Sequence, residues 1–527
     1  MSLNLASIIR SSARYHPSEP ALIHDERRLD YRELAGRVEA FAAHLRSLGV
    51  EPSEKVALLL PNRMSFTVAY FGALHAGCVV VPMSFVSVAR EVGYVLGDSD
   101  AAALIAWSGL EKAARGGFNA AGKCRHLLLV DESRGPLTIV EGKAWDPRAR
   151  IDVDPTSPEA TAVILYTSGT TGEPKGAELT HWNMYSNAQF SAERMLRSGT
   201  SFSTLGPPNV CLAALPLFHS FGQTANQNAM MFAGGALTYL ERFEPGAALR
   251  VMERDRVTLF SGVPTMYFQL LHHPEAERHD LSSLKYCVSG GAAMPVDVLH
   301  AYDERYSVKI LEGYGLSETS PVATFNVLAK ARKPGSIGEP IYGCEIEIQD
   351  ESGREVPQGE VGELAIRGYN VMKGYYKRPE ATRQAFRNGW FLSGDMGRKD
   401  EDGYIYIVDR KKDLIIRGGF NVYPREVEEV LYSHPAVREA AVVGVPSAEY
   451  GEEVKAYVSL KPGADALRCT VEDILGHCKE NLSATKYPRS YEILPDLPKG
   501  PTGKILRKEL RARAAAEAKT AQGARKS

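Results

Sequence analysis

An apolar run, Ala162, Val163, Ile164 and Leu165, leads without a break into Tyr166, Thr167, Ser168, Gly169, Thr170, Thr171, Gly172, Glu173, Pro174, Lys175 and Gly176. The run reads as a buried strand, and the stretch after it carries three glycines and four aliphatic hydroxyls, ending in a Pro-Lys-Gly turn. Glycines let backbone N–H groups turn toward an anion, the hydroxyls add donors, and Lys175 adds a mobile positive charge. The segment is therefore a candidate phosphate cradle at a strand end. Its composition also suits an ordinary surface turn, and the Gly-Lys-Ser/Thr and helix of a Walker loop are missing.

The surrounding sequence alternates helical and strand signals, which predicts an α/β architecture. Asp30 can cap a helix whose Tyr31, Leu34, Val38, Phe41 and Leu45 recur at helical spacing before Gly49. Val56–Leu60 then reads as a strand, 65–75 as a helix and Cys78–Val81 as the next strand. At 527 residues the chain exceeds one ordinary core, so two or more compact units are expected. Its 62 basic and 64 acidic side chains nearly cancel, so nothing global favours nucleic acid or an anionic membrane surface. No apolar run is long enough to cross a membrane and no signal-like N-terminal succession occurs; the seven scattered cysteines lack metal-ligand spacing. A cytoplasmic protein without an integral membrane segment is the expectation.

Further motifs lie beyond the glycine-rich segment. Pro216-Leu217-Phe218-His219-Ser220-Phe221-Gly222 places an imidazole at a proline-broken strand end, where a satisfied core histidine is the ordinary alternative. Ser289-Gly290-Gly291-Ala292 comes after a predicted strand at 286–288, and Tyr314-Gly315-Leu316-Ser317-Glu318 comes later; small residues and a ring would let a flat base lie against backbone. Asp395 stands after a glycine turn, where it is either a turn residue or a carboxylate able to chelate a diol. Asp409 to Asp413 is a charge cluster, and Leu497-Pro498-Lys499-Gly500-Pro501-Thr502-Gly503-Lys504 is an exposed loop projecting lysine. The last hundred residues read as a small α+β unit, with helices started by Pro424 and capped by Thr470 and a frayed, disordered tail from about 511.

Taken together and in this order, the motifs resemble the adenylate-forming superfamily, which includes acyl-CoA synthetases, aryl-CoA ligases, luciferases and peptide-synthetase adenylation domains. The resemblance implies a large multi-subdomain N-terminal domain over 1–409 and a small mobile C-terminal domain over 410–527. It implies ATP binding by Thr167, Ser168, Gly169, Thr170, Thr171, Gly172 and Lys175. Adenine would lie against Gly290, Gly291, Ala292, Tyr314, Gly315 and Ser317, the ribose against Asp395 and Arg410, and Mg²⁺ on Glu318. The acid would be held by His219, Phe221, Gly222 and Gly291. Lys504 matches the catalytic lysine, Lys412 the hinge, and Gly418 and Gly419 a passage for the pantetheine arm of coenzyme A. Ser317 stands where the family commonly has threonine, which keeps the hydroxyl.

The implied reaction converts a carboxylic acid and MgATP to acyl-adenylate and pyrophosphate, then passes the acyl group to coenzyme A. A carboxylic acid, with an ordinary pKa of about 4.3, is already ionised and needs no general base; it needs charge neutralisation where two anions meet, which Glu318-bound metal, the loop donors and Lys504 would provide. The resemblance is strongest to bacterial medium- to long-chain fatty acyl-CoA ligases. Alternatives are an aryl-CoA ligase, an acyl-AMP ligase loading an acyl carrier protein, and an inactive nucleotide-binding protein. A monomer or homodimer is expected.

Overall fold

The computed structural model describes residues 2–167, 173–196, 209–292, 294–327, 330, 332–447, 449–461, 463, 469–500 and 505–524, leaving aside the side chains of 194–196 and 518–524. The chain forms two compact units: Met1–Ile346 with Ile366–Phe391, and Glu347–Ala365 with Leu392–Ser527.

The first unit contains two large sheets. One has eight strands in the order Gly374–Tyr375, Lys175–Thr180, Thr161–Thr167, Val79–Pro82, Lys55–Leu59, Ala101–Trp107, His126–Asp131, Thr138–Glu141. Its centre is parallel, and apart from Lys55 its central strands Val79–Pro82, Lys55–Leu59 and Ala101–Trp107 are apolar, as strands covered on both faces tend to be. The other has nine strands, with a parallel core running Ile310–Gly315, Tyr286–Ser289, Leu259–Gly262, Val210–Ala213, Ala236–Tyr239 and Pro20–His24. The capping box at Asp30 is present: its Oδ1 accepts from Glu33 N at 2.8 Å, Glu33 Oε2 accepts from Asp30 N at 3.1 Å, and the helix runs Tyr31–Ser47.

In the second unit Phe420–Val422, Ile415–Arg417, Gly451–Leu460 and Val437–Ser447 form an antiparallel sheet, with Ser490–Ile493 added in parallel to Gly451–Leu460. Helices Pro424–Ser433 and Val471–Asn481, the latter capped by Thr470, bury Val427, Leu431, Ile474 and Cys478 against Val442, Val454 and Val458.

Two expectations differ from these observations. A single cut after Asp409 would divide the strand Ile405–Arg410, which pairs with Trp390–Lys399 from Asp395↔Arg410 to Lys399↔Ile405. Strand pairing therefore gathers 347–365 and 392–409 into the second compact unit. The tail is also more ordered than its composition suggests, since a helix spans Arg507–Ala524. Leu510 and Ala514, one turn apart, are buried with Ala441, Val443, Tyr457 and Leu497, which anchors a stretch expected to be disordered from about 511.

Candidate functional site

In the first unit the antiparallel pair Thr161–Thr167 and Lys175–Thr180 sets Thr167 opposite Lys175, so both ends of the glycine-rich segment are fixed by one ladder. Ser168, Gly169, Thr170, Thr171 and Gly172 lie outside the described residues. Glu318 stands in a single 3₁₀ turn, Ser317–Thr319, beyond the strand Ile310–Gly315. Its carboxylate is buried and its Oε1 accepts from Tyr375 OH at 2.9 Å and from Thr167 Oγ1 at 3.4 Å. Tyr375 is placed by backbone pairing, Tyr375↔Ala177, and its ring centroid lies 5.5 Å from Lys175 Nζ. Burial and the Glu318 charge hold the Tyr375 phenol well above its ordinary pKa, so it remains a proton donor to the carboxylate. Sequence reasoning missed Tyr375, which sits 57 positions from its partner in a short Gly374-Tyr375-Tyr376 string with no periodic signal.

A pocket opens beside this turn. His219, Phe221, Gly290, Gly291, Tyr314 and Gly315 line it together with Phe190, Ser191, Ala225, Val288, Val322 and Phe325. Thus six of the expected adenine or acid residues share one cavity; Ala292 and Ser317 are not part of its lining. His219 is exposed and not a core residue; its Nδ1 accepts from Phe221 N at 3.3 Å, which leaves the Nε2 position to carry the proton of a neutral ring. Gly315 is dictated by sterics, because a Cβ there would come within 1.8 Å of Pro321 O.

Gly222 is a correction. It does not line the pocket; a Cβ at this position would meet Pro216 O at 2.4 Å and Leu215 O at 2.8 Å, so its role is close approach of the adjoining helix to the strand end. That helix, Phe221–Asn228, is a π-helix, a form that recurs at functional sites, and its Gln223, Asn226, Gln227 and Asn228 are fully buried.

In the second unit Asp395 and Arg410 lie in direct register on the paired strands, with Arg410 Nε 3.3 Å from Asp395 Oδ1. The pair presents a carboxylate and a guanidinium side by side, the complement of a vicinal diol. Lys412 is exposed on the turn Lys411–Asp413. Gly418 and Gly419 join the strands Ile415–Arg417 and Phe420–Val422 with φ of +55° and +84°, and are exposed. Lys504 lies outside the described residues.

A second feature not anticipated is the ion cluster at the start of the last helix. Arg507 contacts Glu428 at 2.5 Å, Asp413 at 3.3 Å and Asp409 at 3.5 Å, while Arg511 contacts Asp413 at 2.7 Å. Burial opposes ionisation of Asp413, yet Arg507 and Arg511 outweigh it and lower its pKa. Burial raises the pKa of both Asp409 and Glu428, with Arg507 working against it.

The metal expectation can be tested on the donor set. Glu318 offers a buried hard oxygen with a threonine hydroxyl beside it, which suits Mg²⁺. Among the described residues no group of three or more His, Cys, Asp or Glu side chains could cage a metal, so an ion at Glu318 would be completed by phosphate and water.

Comparison with known proteins identifies the family. Residues 9–376 match the AMP-binding enzyme family and residues 426–504 the AMP-binding enzyme C-terminal domain. A long-chain-fatty-acid–CoA ligase of Bacillus subtilis is 37% identical over 540 residues, covering 96% of this chain and 94% of its own. A feruloyl-CoA synthase of Amycolatopsis is 39% identical over 503 residues, covering 95% and 97%. Among solved structures, the anthranilate CoA ligase AuaEII in complex with anthranoyl-AMP superposes with a TM-score of 0.88 at 28% identity, covering 98% of each chain. ATP-bound MatB from Rhodopseudomonas palustris does so with 0.87 at 30% identity, covering 97% and 99%. With one domain match spanning more than half of its length and a second over residues 426–504, the chain belongs to the AMP-binding enzyme family.

Proposed function

We propose that this protein is an ATP-dependent acid–thiol ligase that converts a carboxylic acid to its acyl-adenylate with release of pyrophosphate and then to the coenzyme A thioester. The observation that carries the reading is the buried Glu318 carboxylate, held by Tyr375 and Thr167 at the foot of the glycine-rich segment, with a largely apolar pocket beside it. Mg²⁺ bound there would neutralise phosphate charge as pyrophosphate leaves. Thr167 and Lys175 would hold phosphate oxygens, Gly290, Gly291 and Tyr314 the base, Asp395 and Arg410 the ribose, and Tyr375 would orient the Glu318 carboxylate. The incoming acid is already ionised, so no residue has to remove its proton; His219, which lines the pocket, would position it.

The acid's carbon skeleton is set by a wall built from Phe190, Ala225, Val288, Val322 and Phe325, which favours an alkyl or aryl group. A medium- to long-chain fatty acid is the first candidate, supported by the Bacillus subtilis relative, and an aromatic acid the second, supported by the Amycolatopsis relative. Lys504 would bridge carboxylate and α-phosphate in the first step, Lys412 would be the pivot between steps, and Gly418 and Gly419 would admit pantetheine in the second.

The deciding experiment is acid-dependent pyrophosphate exchange over a panel of carboxylic acids, with coenzyme A and an acyl carrier protein offered as competing acceptors and products read by mass spectrometry. Exchange with acid and a coenzyme A product supports the proposal; a carrier-protein product replaces the acceptor, and no exchange with any acid points to an inactive nucleotide-binding protein. Lys504→Ala should suppress adenylate formation while sparing transfer from supplied acyl-adenylate, and Lys412→Pro, which locks φ, should do the reverse. Equal loss of both steps in Lys504→Ala would remove this lysine from the scheme.

A further inference from the structure

Two hydroxyls stand in the pocket wall with nothing to bond to. Ser191, on the helix His181–Leu196, and Ser289, the last residue of the strand Tyr286–Ser289, both line the cavity, and each is only 1% exposed. Among the described residues neither Oγ has a hydrogen-bond partner. A helical serine ordinarily satisfies itself on the carbonyl one turn back, as Ser186 does with Trp182 O and Ser99 with Val95 O, both at 2.6 Å. Ser191 departs from that habit. In a wall otherwise made of Phe190, Val288, Val322 and Phe325, alanine would serve packing equally well and would avoid burying an unsatisfied hydroxyl. The polar character continues behind the wall: Ala225 lines the cavity, and the next residue, Asn226, is fully buried with both amide atoms unpartnered.

We propose that Ser191 and Ser289 are specificity-determining residues that read an oxygen substituent, hydroxyl or keto, on the carbon skeleton of the acid. The enzyme then prefers an oxygenated carboxylic acid to the plain hydrocarbon acid of the same skeleton. This rests on the cavity being the acyl pocket of the ligase proposed above. A site built to hydrogen-bond an oxygen discriminates strongly against the analogue lacking it, because the deleted group leaves buried donors and acceptors unpaired.

The test uses the full-length enzyme with ATP and Mg²⁺ and reads acid-dependent pyrophosphate exchange, so that no thiol acceptor enters. The probes are matched pairs: decanoic acid against its positional hydroxy and oxo analogues, and cinnamic acid against its ring-hydroxylated analogues. The expected result is a kcat/KM at least tenfold higher for one oxygenated member than for its parent. Ser191→Ala and Ser289→Ala should each lower that ratio about tenfold, chiefly through the KM of the oxygenated acid. The comparison of acids in the unaltered enzyme holds even where a variant folds poorly. A wild-type preference for the parents, or a ratio that survives the double substitution, overturns the proposal and leaves the hydroxyls as water-binding groups only. Absence of exchange with every acid instead overturns the ligase reading itself, and this inference with it.

Discussion

Around the pocket of the first unit, the polar groups taken out of water are neutral: Gln223, Asn226, Gln227 and Asn228 are fully buried, and each has at least one amide atom without a partner. In the second unit a cluster of buried charges is paired, with Arg507 set among Glu428, Asp413 and Asp409. The two arrangements differ in what it costs to disturb them. Removing one member of a buried ion cluster strands the others, whereas an amide that lacks a partner has little left to lose. A core held by charge is a rigid mounting, and a wall with unspent hydrogen-bonding capacity is a surface waiting for a ligand. The contrast can be broken or sharpened by substitutions on either side.

The largest effect is expected for Arg507→Met, which leaves Asp409, Asp413 and Glu428 facing one another. A loss of about 3–5 kcal/mol, confined to the second unit, should be visible as collapsed hydrogen-exchange protection in 437–460 with 55–107 unchanged. Uniform loss across both units would undo the comparison.

Acid should act on the first unit through His44 and His181, whose pKa values burial pushes down to about 4. Because the folded protein binds these protons less readily than the unfolded chain, their contribution to stability is complete above the ordinary value of about 6.5. It declines as pH falls toward 4, by about 3 kcal/mol for each histidine. Segment-resolved exchange at pH 7 and pH 5 would measure it, and a flat profile in the first unit would refute it.

Glu318 is a buried charge in the first unit, as are Glu132, Asp255 and Glu312. If it is placed for a ligand, Glu318→Ala should reduce adenylation about a hundredfold or more while barely altering thermal stability, the opposite of Arg507→Met. Normal exchange rates at ordinary Mg²⁺ would withdraw the assignment.

The smallest effect belongs to Asn226→Leu. Replacing an unpartnered amide by an apolar group of similar volume should change stability by less than about 1 kcal/mol in chemical denaturation. A large loss would mean that the amide is satisfied after all and that the pocket wall is structural.

What was legible in the sequence was local. Asp30 and Thr470 announce their helices because a cap is read within four residues, and the strand at 162–165 is apolar along its length. The glycine-rich segment, Glu318, Asp395 and Arg410 were found because their strings are contiguous. Tyr375 was missed because its link to Glu318 is made by strand pairing, and Arg507 because its three carboxylates come from positions 409, 413 and 428. Gly222 misled for a related reason: composition says glycine, but only the backbone of Leu215 and Pro216 says what the glycine is for. Ser191 and Ser289 carry no sequence signal, since a serine on a helix or strand is ordinary until its oxygen is seen to lack a partner.

The seat of the last helix also fixes the chain that leads up to it. Ile505 bridges to Lys499, Leu506 N donates to Pro498 O at 2.8 Å, and Arg507 is clamped by three carboxylates. Residues 498–499 and the first turn of the helix are therefore tied to each other and to the carboxylates at 409, 413 and 428 as one piece. If Lys504 acts as proposed, two glycines inserted between it and Ile505 should weaken adenylate formation by separating its charge from that anchor.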